Sequence, residues 1–171
     1  MKGYVQVYTG DGKGKTTAAL GLALRAAGAG LRTFIGQFMK GTPSGELAAA
    51  ERFPDLIIIR QYGRRGFIGR EPTQEDRKAA AAGLADIRGI IASGEHDLVV
   101  LDEINVAIAH DLISVDEVLQ LVDTKPEHVE LVLTGRKADP RIIERADLVT
   151  EMREVKHYYA RGVRAREGIE K

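Results

Sequence analysis

The feature that most constrains this chain is a glycine-rich turn between an apolar strand and a helix. Residues 5–17 read VQVYTGDGKGKTT, so an apolar run leads directly into three glycines, a lysine and two threonines. Glycine lets backbone N–H groups turn toward an anion without a side-chain clash, and a helix starting near Lys15 adds the positive end of its dipole. The stretch therefore predicts a phosphate-binding loop in an α/β fold.

Lys15 and Thr16 carry the chemistry expected of such a loop. Lys15 supplies a point charge for the outer phosphates of a nucleotide, and the Thr16 hydroxyl can ligate magnesium. The full motif has its first glycine at position 9, where this chain has threonine, so the loop is a variant. The strand before it and the helix after it favour a bound triphosphate over an empty turn. The predicted nucleotide-binding residues are Thr9, Gly10, Asp11, Gly12, Lys13, Gly14, Lys15, Thr16 and Thr17.

Length and composition narrow the class of protein. A chain of 171 residues fits one domain, large enough to bury roughly two thirds of its unfolded surface. Basic and acidic residues number 25 each, so we expect neither a nucleic acid nor a membrane surface as partner. The absence of cysteine excludes disulfides and thiolate metal sites. No apolar run approaches the ~20 residues of a membrane span, and we expect a soluble, unprocessed, cytoplasmic protein.

Short β-branched runs alternate with longer Ala- and Leu-rich stretches. This pattern predicts a single α/β domain over residues 1–171, with a doubly wound, mostly parallel six-stranded sheet of the RecA-like P-loop NTPase type. Residues 156–171 are expected to form a C-terminal strap or tail. The predicted strands are Tyr4–Thr9, Arg32–Phe38, Leu56–Gln61, Leu98–Asp102, Val129–Thr134 and Leu148–Met152. The predicted helices are Lys15–Ala29, Gly45–Arg52, one from a Thr73/Asp76 capping box to Ser93, two short ones after the fourth strand, and one opening at Pro140.

A second acidic motif completes the nucleotide site. The apolar run Leu98 to Leu101 is followed by Asp102 and Glu103. Ligands of a parallel sheet bind beyond the carboxyl ends of its strands, so both carboxylates are expected to face Lys15 and Thr16. The two motifs together predict nucleotide binding without specifying which bond is broken.

Three reactions remain open at this point. A small-molecule kinase needs an arginine-rich lid, for which Arg64, Arg65 and Arg70 are candidates. A RecA-like ATPase bound to nucleic acid needs a base that orients water, a role open to Glu103. The third possibility is attack at the ribose carbon of the nucleotide. The three reactions release different products, which distinguishes them experimentally.

Longer stretches of the chain resemble one family over nearly the whole length. They are 9–21, 37–41, 100–103, 133–136, 146–157 and 162–170. With these residues the chain resembles the ATP:corrinoid adenosyltransferases, the cob(I)alamin adenosyltransferase family that also acts on cobyrinic acid diamide. The threonine at position 9 is the family's own form of the loop.

The resemblance implies transfer of the 5′-deoxyadenosyl group of ATP to a cobalt(I) corrinoid, with release of triphosphate, in adenosylcobalamin synthesis or salvage. Cobalt is the nucleophile, so side chains position the reactants without attacking them; Lys15, Thr16 and Glu103 are the implied positioning residues. Magnesium is implied to bind Thr16 and Glu103, with Asp102 adjacent. Arg25 and Arg136 are implied to contact phosphate or ribose.

The resemblance also implies a corrinoid site and partners. The candidate corrinoid contacts are Gln37, Phe38, Lys40 and Phe67. No flavin motif is visible, so a separate reductase is expected to supply the electron. The family further implies a homodimer.

Overall fold

The computed structural model describes residues 2–64 and 71–170. Within these ranges strands and helices alternate as predicted, and the boundaries agree with the predicted ones to within two residues. The strands are β1 Val5–Thr9, β2 Thr33–Phe38, β3 Ile57–Tyr62, β4 Leu98–Asp102, β5 Glu130–Thr134 and β6 Leu148–Glu151. The helices are α1 Lys15–Gly28, α2 Gly45–Ala50, α3 Gln74–Ser93, α4 Ile104–Ala109, α5 Val115–Thr124 and α6 Pro140–Arg145, followed by a 3-10 helix, Tyr158–Arg161.

The six strands form one sheet in the order β3-β2-β4-β5-β1-β6. Each neighbouring pair is parallel, which confirms the predicted fold class. All carboxyl ends therefore lie along one edge of the sheet, where ligands of such folds bind. β5 lies between β1, which leads into the glycine-rich loop, and β4, which leads into the two acids.

The central strands are apolar because both of their faces are covered by helices. Every residue of β2 and β4 is buried. One face packs against α1, whose Ala19 and Ala23 contribute small side chains that let the helix approach closely. The other face packs against α3, α4 and α5, with Phe34 and Ile87 among the largest buried side chains.

The ends of the helices follow their capping residues. At the start of α3, the Thr73 hydroxyl accepts a hydrogen bond from the N–H of Asp76, and the Asp76 carboxylate accepts one from the N–H of Thr73, which confirms the predicted capping box. Pro140 lies in the first turn of α6, also as predicted. Of the helices in the described ranges, none is long and apolar enough to cross a membrane.

α3 lies close to β3 because Gly83 has no side chain. A Cβ atom on Gly83 would lie 2.4 Å from Cγ of Tyr62. Gly89, farther along the same helix, faces open space within 4 Å. Gly83 therefore sets the distance between helix and sheet, whereas Gly89 has no such role.

Candidate functional site

A cleft of about 760 Å³ lies at the carboxyl edge of the sheet. Its polar side consists of loop residues 11–17 together with Lys40, Glu46, Glu103 and Arg136. An apolar wall from α1, α2 and β3 continues the cleft, and its C-terminal side is formed by His157 and residues 168–170. The structure thus brings the glycine-rich loop and one of the two predicted acids to a single cavity.

The glycines of the loop are required by packing as well as by the approach of an anion. Gly10 and Gly14 have φ values of 92° and 119°, a region that side chains rarely adopt. The N–H of Gly12 donates to the carbonyl of Met152 at 2.7 Å, and a Cβ atom on Gly10 would lie 2.4 Å from the same oxygen. The backbone at Met152, directly after β6, therefore packs against the loop and holds it in place.

Lys15 is held against the loop that precedes it. Its ammonium donates to the carbonyl oxygens of Gly10 at 2.8 Å and Gly12 at 2.5 Å. Burial lowers the pKa of Lys15, while the nearby carboxylate of Glu103 opposes that shift. The negative charge of a bound phosphate would therefore offset the cost of desolvating the ammonium and would favour its charged form.

Asp102 has four hydrogen-bond donors around its carboxylate and is 1% exposed. Oδ1 accepts from the hydroxyls of Thr16 at 2.8 Å and Thr134 at 2.7 Å. Oδ2 accepts from Nζ of Lys40 at 3.1 Å and Nε2 of Gln37 at 3.2 Å. Both oxygens are committed to protein groups, so Asp102 orients its neighbours and does not line the cleft.

Glu103 lines the cleft from a backbone conformation that is unusual for a residue with a side chain. Its φ is 63°, in the left-handed region, and it precedes α4 directly. Burial and the charge of Asp102 raise the pKa of Glu103. A cation beside this carboxylate would therefore stabilise its charged form.

The groups present fit a magnesium ion bound together with a nucleotide. The Thr16 hydroxyl donates a hydrogen bond to Asp102, which leaves the lone pairs of the Thr16 oxygen for a cation. Glu103 adds a carboxylate in the same cleft. Among the residues that the structure describes, no three acids or histidines are grouped to hold a metal unaided. Magnesium usually takes one or two protein ligands and completes its shell with phosphate oxygens and water.

Lys40 and Glu46 form a polar bridge that the sequence pattern did not reveal. Nζ of Lys40 lies 3.4 Å from Oε1 of Glu46, which also accepts from Nε2 of Gln37 at 3.1 Å. Burial alone would lower the pKa of Lys40, but the ion pair with Asp102 and the charge of Glu46 raise it. Glu46 lies on the short helix α2, where no motif marks it as functional.

Several predicted site residues do not reach the cleft. Phe38 is fully buried, with its ring centroid 5.7 Å from that of Tyr62. Gln37 is also fully buried, and its amide donates a hydrogen bond to Asp102. Thr9 accepts the N–H of Ala138 at 3.3 Å and lies beneath the loop. Phe38 and Gln37 therefore do not line the cleft, because strand β2 is covered on both faces.

Two predicted arginines have different outcomes. Arg136 lines the cleft beside the loop. Arg25 lies in the last turn of α1, ten residues after Lys15, which corresponds to roughly 15 Å along a helix axis. The structure therefore does not bring Arg25 to the phosphates that the loop would hold. Phe67, Arg65 and Arg70 lie outside the described residues, and Arg64 pairs with Glu75 at 3.1 Å.

A C-terminal segment, defined here as residues 158–170, closes against the loop. Nζ of Lys13 donates to the carbonyl of Ile169 at 3.0 Å and lies 3.5 Å from Oε1 of Glu170. The carboxylate of Glu170 also accepts from the hydroxyl of Tyr158 and from Nη2 of Arg166 at 3.0 Å. One carboxylate therefore organises this segment and joins it to the phosphate loop.

Comparison with known proteins gives a consistent result over almost the whole chain. A family model described as ATP:corrinoid adenosyltransferase BtuR/CobO/CobP matches residues 1–170. A corrinoid adenosyltransferase of Pseudomonas aeruginosa is 38% identical over 99% of this chain and 84% of its own length. One from Escherichia coli K12 is 37% identical over 99% of this chain and 86% of its own length.

Among solved structures, a KaiC-like protein from Pyrococcus horikoshii superposes with a TM-score of 0.61. The match covers 88% of this chain and 73% of that protein, at 19% sequence identity. At this identity the likeness is one of fold, and it agrees with the predicted RecA-like class.

Proposed function

Because this chain belongs to the ATP:corrinoid adenosyltransferase family, we propose that it transfers the 5′-deoxyadenosyl group of ATP to the cobalt(I) centre of a reduced corrinoid and releases inorganic triphosphate. The reaction would serve the synthesis or salvage of adenosylcobalamin. The observation that carries the proposal is the convergence of Lys15, Thr16 and Glu103 on one cleft, in a chain matched by the family over residues 1–170.

The proposed reaction needs little acid–base chemistry from the protein. The electron pair of cobalt(I) forms a bond to C5′ of the ribose, the bond from C5′ to the α-phosphate oxygen breaks, and its electron pair leaves with triphosphate. No proton is transferred in this step. Catalysis then consists of in-line positioning and of neutralising the charge of the leaving group.

The residues of the cleft divide these tasks. The loop N–H groups and Lys15 would hold the triphosphate, and Arg136 would add positive charge beside the loop. Thr16 and Glu103 would hold magnesium, which neutralises part of the triphosphate charge when bound. Asp102 would act indirectly, because both of its oxygens are committed to protein donors. Of the candidate corrinoid contacts in the described residues, Lys40 is the one that lines the cleft, so we propose it as a contact.

We further propose a cytoplasmic homodimer that receives its electron from a separate reductase. The sequence contains no cysteine, so it cannot hold a cysteine-ligated iron–sulfur cluster as an electron source. The edge strand β6 exposes Leu148 and Val149, with 45% and 41% of their surfaces accessible. Apolar side chains on an unpaired edge favour association with a second copy.

A RecA-like ATPase bound to nucleic acid is the alternative that the fold alone leaves open. The comparisons do not favour it, since relatives that cover nearly the whole chain are named as corrinoid adenosyltransferases. The zero net charge also provides no general attraction for a polyanion.

The test is an anaerobic incubation of the protein with ATP, magnesium and chemically reduced cobalamin. We expect a light-sensitive adenosylated corrinoid in the absorption spectrum and triphosphate as the phosphorus product. Orthophosphate and ADP without a change in the corrinoid spectrum would contradict the proposal, and stimulation of that release by DNA or RNA would favour the alternative.

A further inference from the structure

We propose that Thr134 is a positioning residue for the magnesium nucleotide that binds in this cleft. Its buried hydroxyl fixes Asp102 and Glu103 together and thereby directs the Thr16 oxygen and the Glu103 carboxylate toward a magnesium nucleotide. The inference rests on the magnesium and ATP part of the proposed function. It assigns a role to the last residue of β5, which lies between the loop strand and the acidic strand.

Thr134 has its hydrogen-bonding capacity divided between the two acids. Its hydroxyl donates to Oδ1 of Asp102 at 2.7 Å and accepts the backbone N–H of Glu103 at 3.0 Å. A hydroxyl has one proton, so the bond to Asp102 leaves only lone pairs for the N–H. The side chain has no solvent exposure, so water does not compete for these bonds.

The bond to Asp102 sets the orientation of Thr16. The hydroxyls of Thr16 and Thr134 donate to the same oxygen of Asp102, at 2.8 Å and 2.7 Å. Lys40 holds the other oxygen at 3.1 Å. With the carboxylate fixed from both sides, the Thr16 proton points to Asp102 and the Thr16 lone pairs point away from it. Without Thr134, Asp102 can rotate about its side-chain bond toward Lys40.

The bond from Glu103 N–H supports a strained turn. Glu103 has a φ of 63°, which residues with a side chain rarely adopt, and such conformations persist where neighbouring contacts enforce them. Thr134 supplies one of these contacts directly at the strained residue. The direction of the Glu103 carboxylate depends on this turn, because the side chain projects from it into the cleft.

Burial of a threonine in this sheet does not in itself require hydrogen-bond partners. Thr33 begins β2 and lies at the amino ends of the parallel strands, whereas Thr134 lies at their carboxyl ends. Thr33 is also fully buried. Its hydroxyl has no hydrogen-bond partner among the residues described. The paired bonds of Thr134 are therefore specific to its place between the acids. Thr33 also provides a matched control for the same chemical change.

The experiment compares ATP binding by calorimetry in magnesium and in EDTA. Thr134→Val should reduce the gain in ATP affinity that magnesium provides by about tenfold, the effect of losing one charge-assisted hydrogen bond. Affinity in EDTA should stay within about twofold of the wild type, because the loop and Lys15 are untouched. Thr134→Ser keeps the hydroxyl and should restore the magnesium effect, and Thr33→Val should leave it unchanged.

The inference is overturned by an unchanged magnesium effect in Thr134→Val, or by an equal loss with and without magnesium, which indicates a purely structural role. If Thr134→Val does not fold by circular dichroism, Thr134→Ala decides by the same ratio. The binding assay contains no corrinoid. A wild type that binds magnesium and ATP but never forms an adenosylated corrinoid therefore contradicts the proposed function and leaves the role of Thr134 standing.

Discussion

Burial shifts the pKa values of Lys15 and Glu103 in opposite directions, and in each case toward the neutral form. It lowers the pKa of Lys15 and raises that of Glu103. Each charged form therefore gains when an opposite charge enters the cleft, phosphate beside the lysine and a cation beside the carboxylate. At the scale of single residues, the site is suited to a ligand that brings both charges at once, as a magnesium nucleotide does.

Lys15→Ala tests the lysine directly. Loss of the ammonium removes the charge that lies against the loop, and we expect kcat/KM for adenosylation to fall by at least about 100-fold. The measurement is the anaerobic corrinoid assay at several ATP concentrations. Lys78→Ala, an exposed lysine on α3, should behave as wild type, whereas full activity of Lys15→Ala would contradict the assignment of the loop.

At the scale of elements, local signals in the sequence were sufficient to predict the helices and strands. The Thr73 capping box and Pro140 mark helix starts through contacts within a few residues, and both are confirmed. Strand order and the environment of each side chain depend on pairings between distant residues. For this reason the sequence did not reveal Thr134 or Glu46, and it could not show that Phe38 points into the core.

Gly83→Ala tests the packing of α3 on β3. The added Cβ would meet the Tyr62 ring at 2.4 Å, so the helix must shift, and we expect a loss of about 1–3 kcal/mol in the free energy of unfolding. Gly89→Ala in the same helix meets no atom within 4 Å and should gain about 1 kcal/mol from helix propensity. Urea denaturation measures both, and equal effects of the two substitutions would contradict this packing.

The start of α5 gives a prediction for pH. Glu117 accepts the backbone N–H of Ser114 at 3.0 Å and also its hydroxyl proton, and these hydrogen bonds lower the pKa of Glu117. Because the pKa is lower in the folded state, the stabilisation is present above the unfolded pKa and is lost as pH falls through the folded pKa.

We expect Glu117→Ala to lower the free energy of unfolding near pH 7 by at most about 1 kcal/mol, since the pair is exposed. The deficit should shrink as the pH falls through the lowered pKa of Glu117 in the folded state. Glu117→Gln keeps an acceptor without a charge, so its difference from Glu117→Ala should not vary with pH. Thermal unfolding across this range measures both variants, and a deficit that grows in acid would refute the capping role.

At the scale of the whole molecule, the C-terminal segment forms part of the wall around the loop. Lys13 contacts both the carbonyl of Ile169 and the carboxylate of Glu170. The carboxylate in turn holds Tyr158 and Arg166. The segment therefore depends on a charge from the loop for its position, although the two regions are more than 140 residues apart in sequence.

Timed digestion with trypsin tests this dependence. The segment contains Arg161, Arg164 and Arg166, all exposed. Lys13→Ala removes its contact with the loop, and we expect cleavage after these arginines to accelerate several-fold because local opening becomes easier. Glu170→Gln should give a smaller acceleration, and Lys78→Ala none. Mass spectrometry identifies the fragments and gives the cleavage rates. Identical rates in all variants would show that other contacts hold the segment.

The place of β1 in the sheet has a consequence for synthesis of the chain. β1 pairs with β5 and β6, and its first partner residue, Leu131, emerges 126 residues after Val5. At a translation rate of about 5–20 residues per second, the strand waits on the order of ten seconds for a neighbour. During that time the apolar residues of β1 have no partner strand. The nascent chain is therefore prone to aggregation until β5 and β6 have been synthesised, unless it is dilute or bound by chaperones.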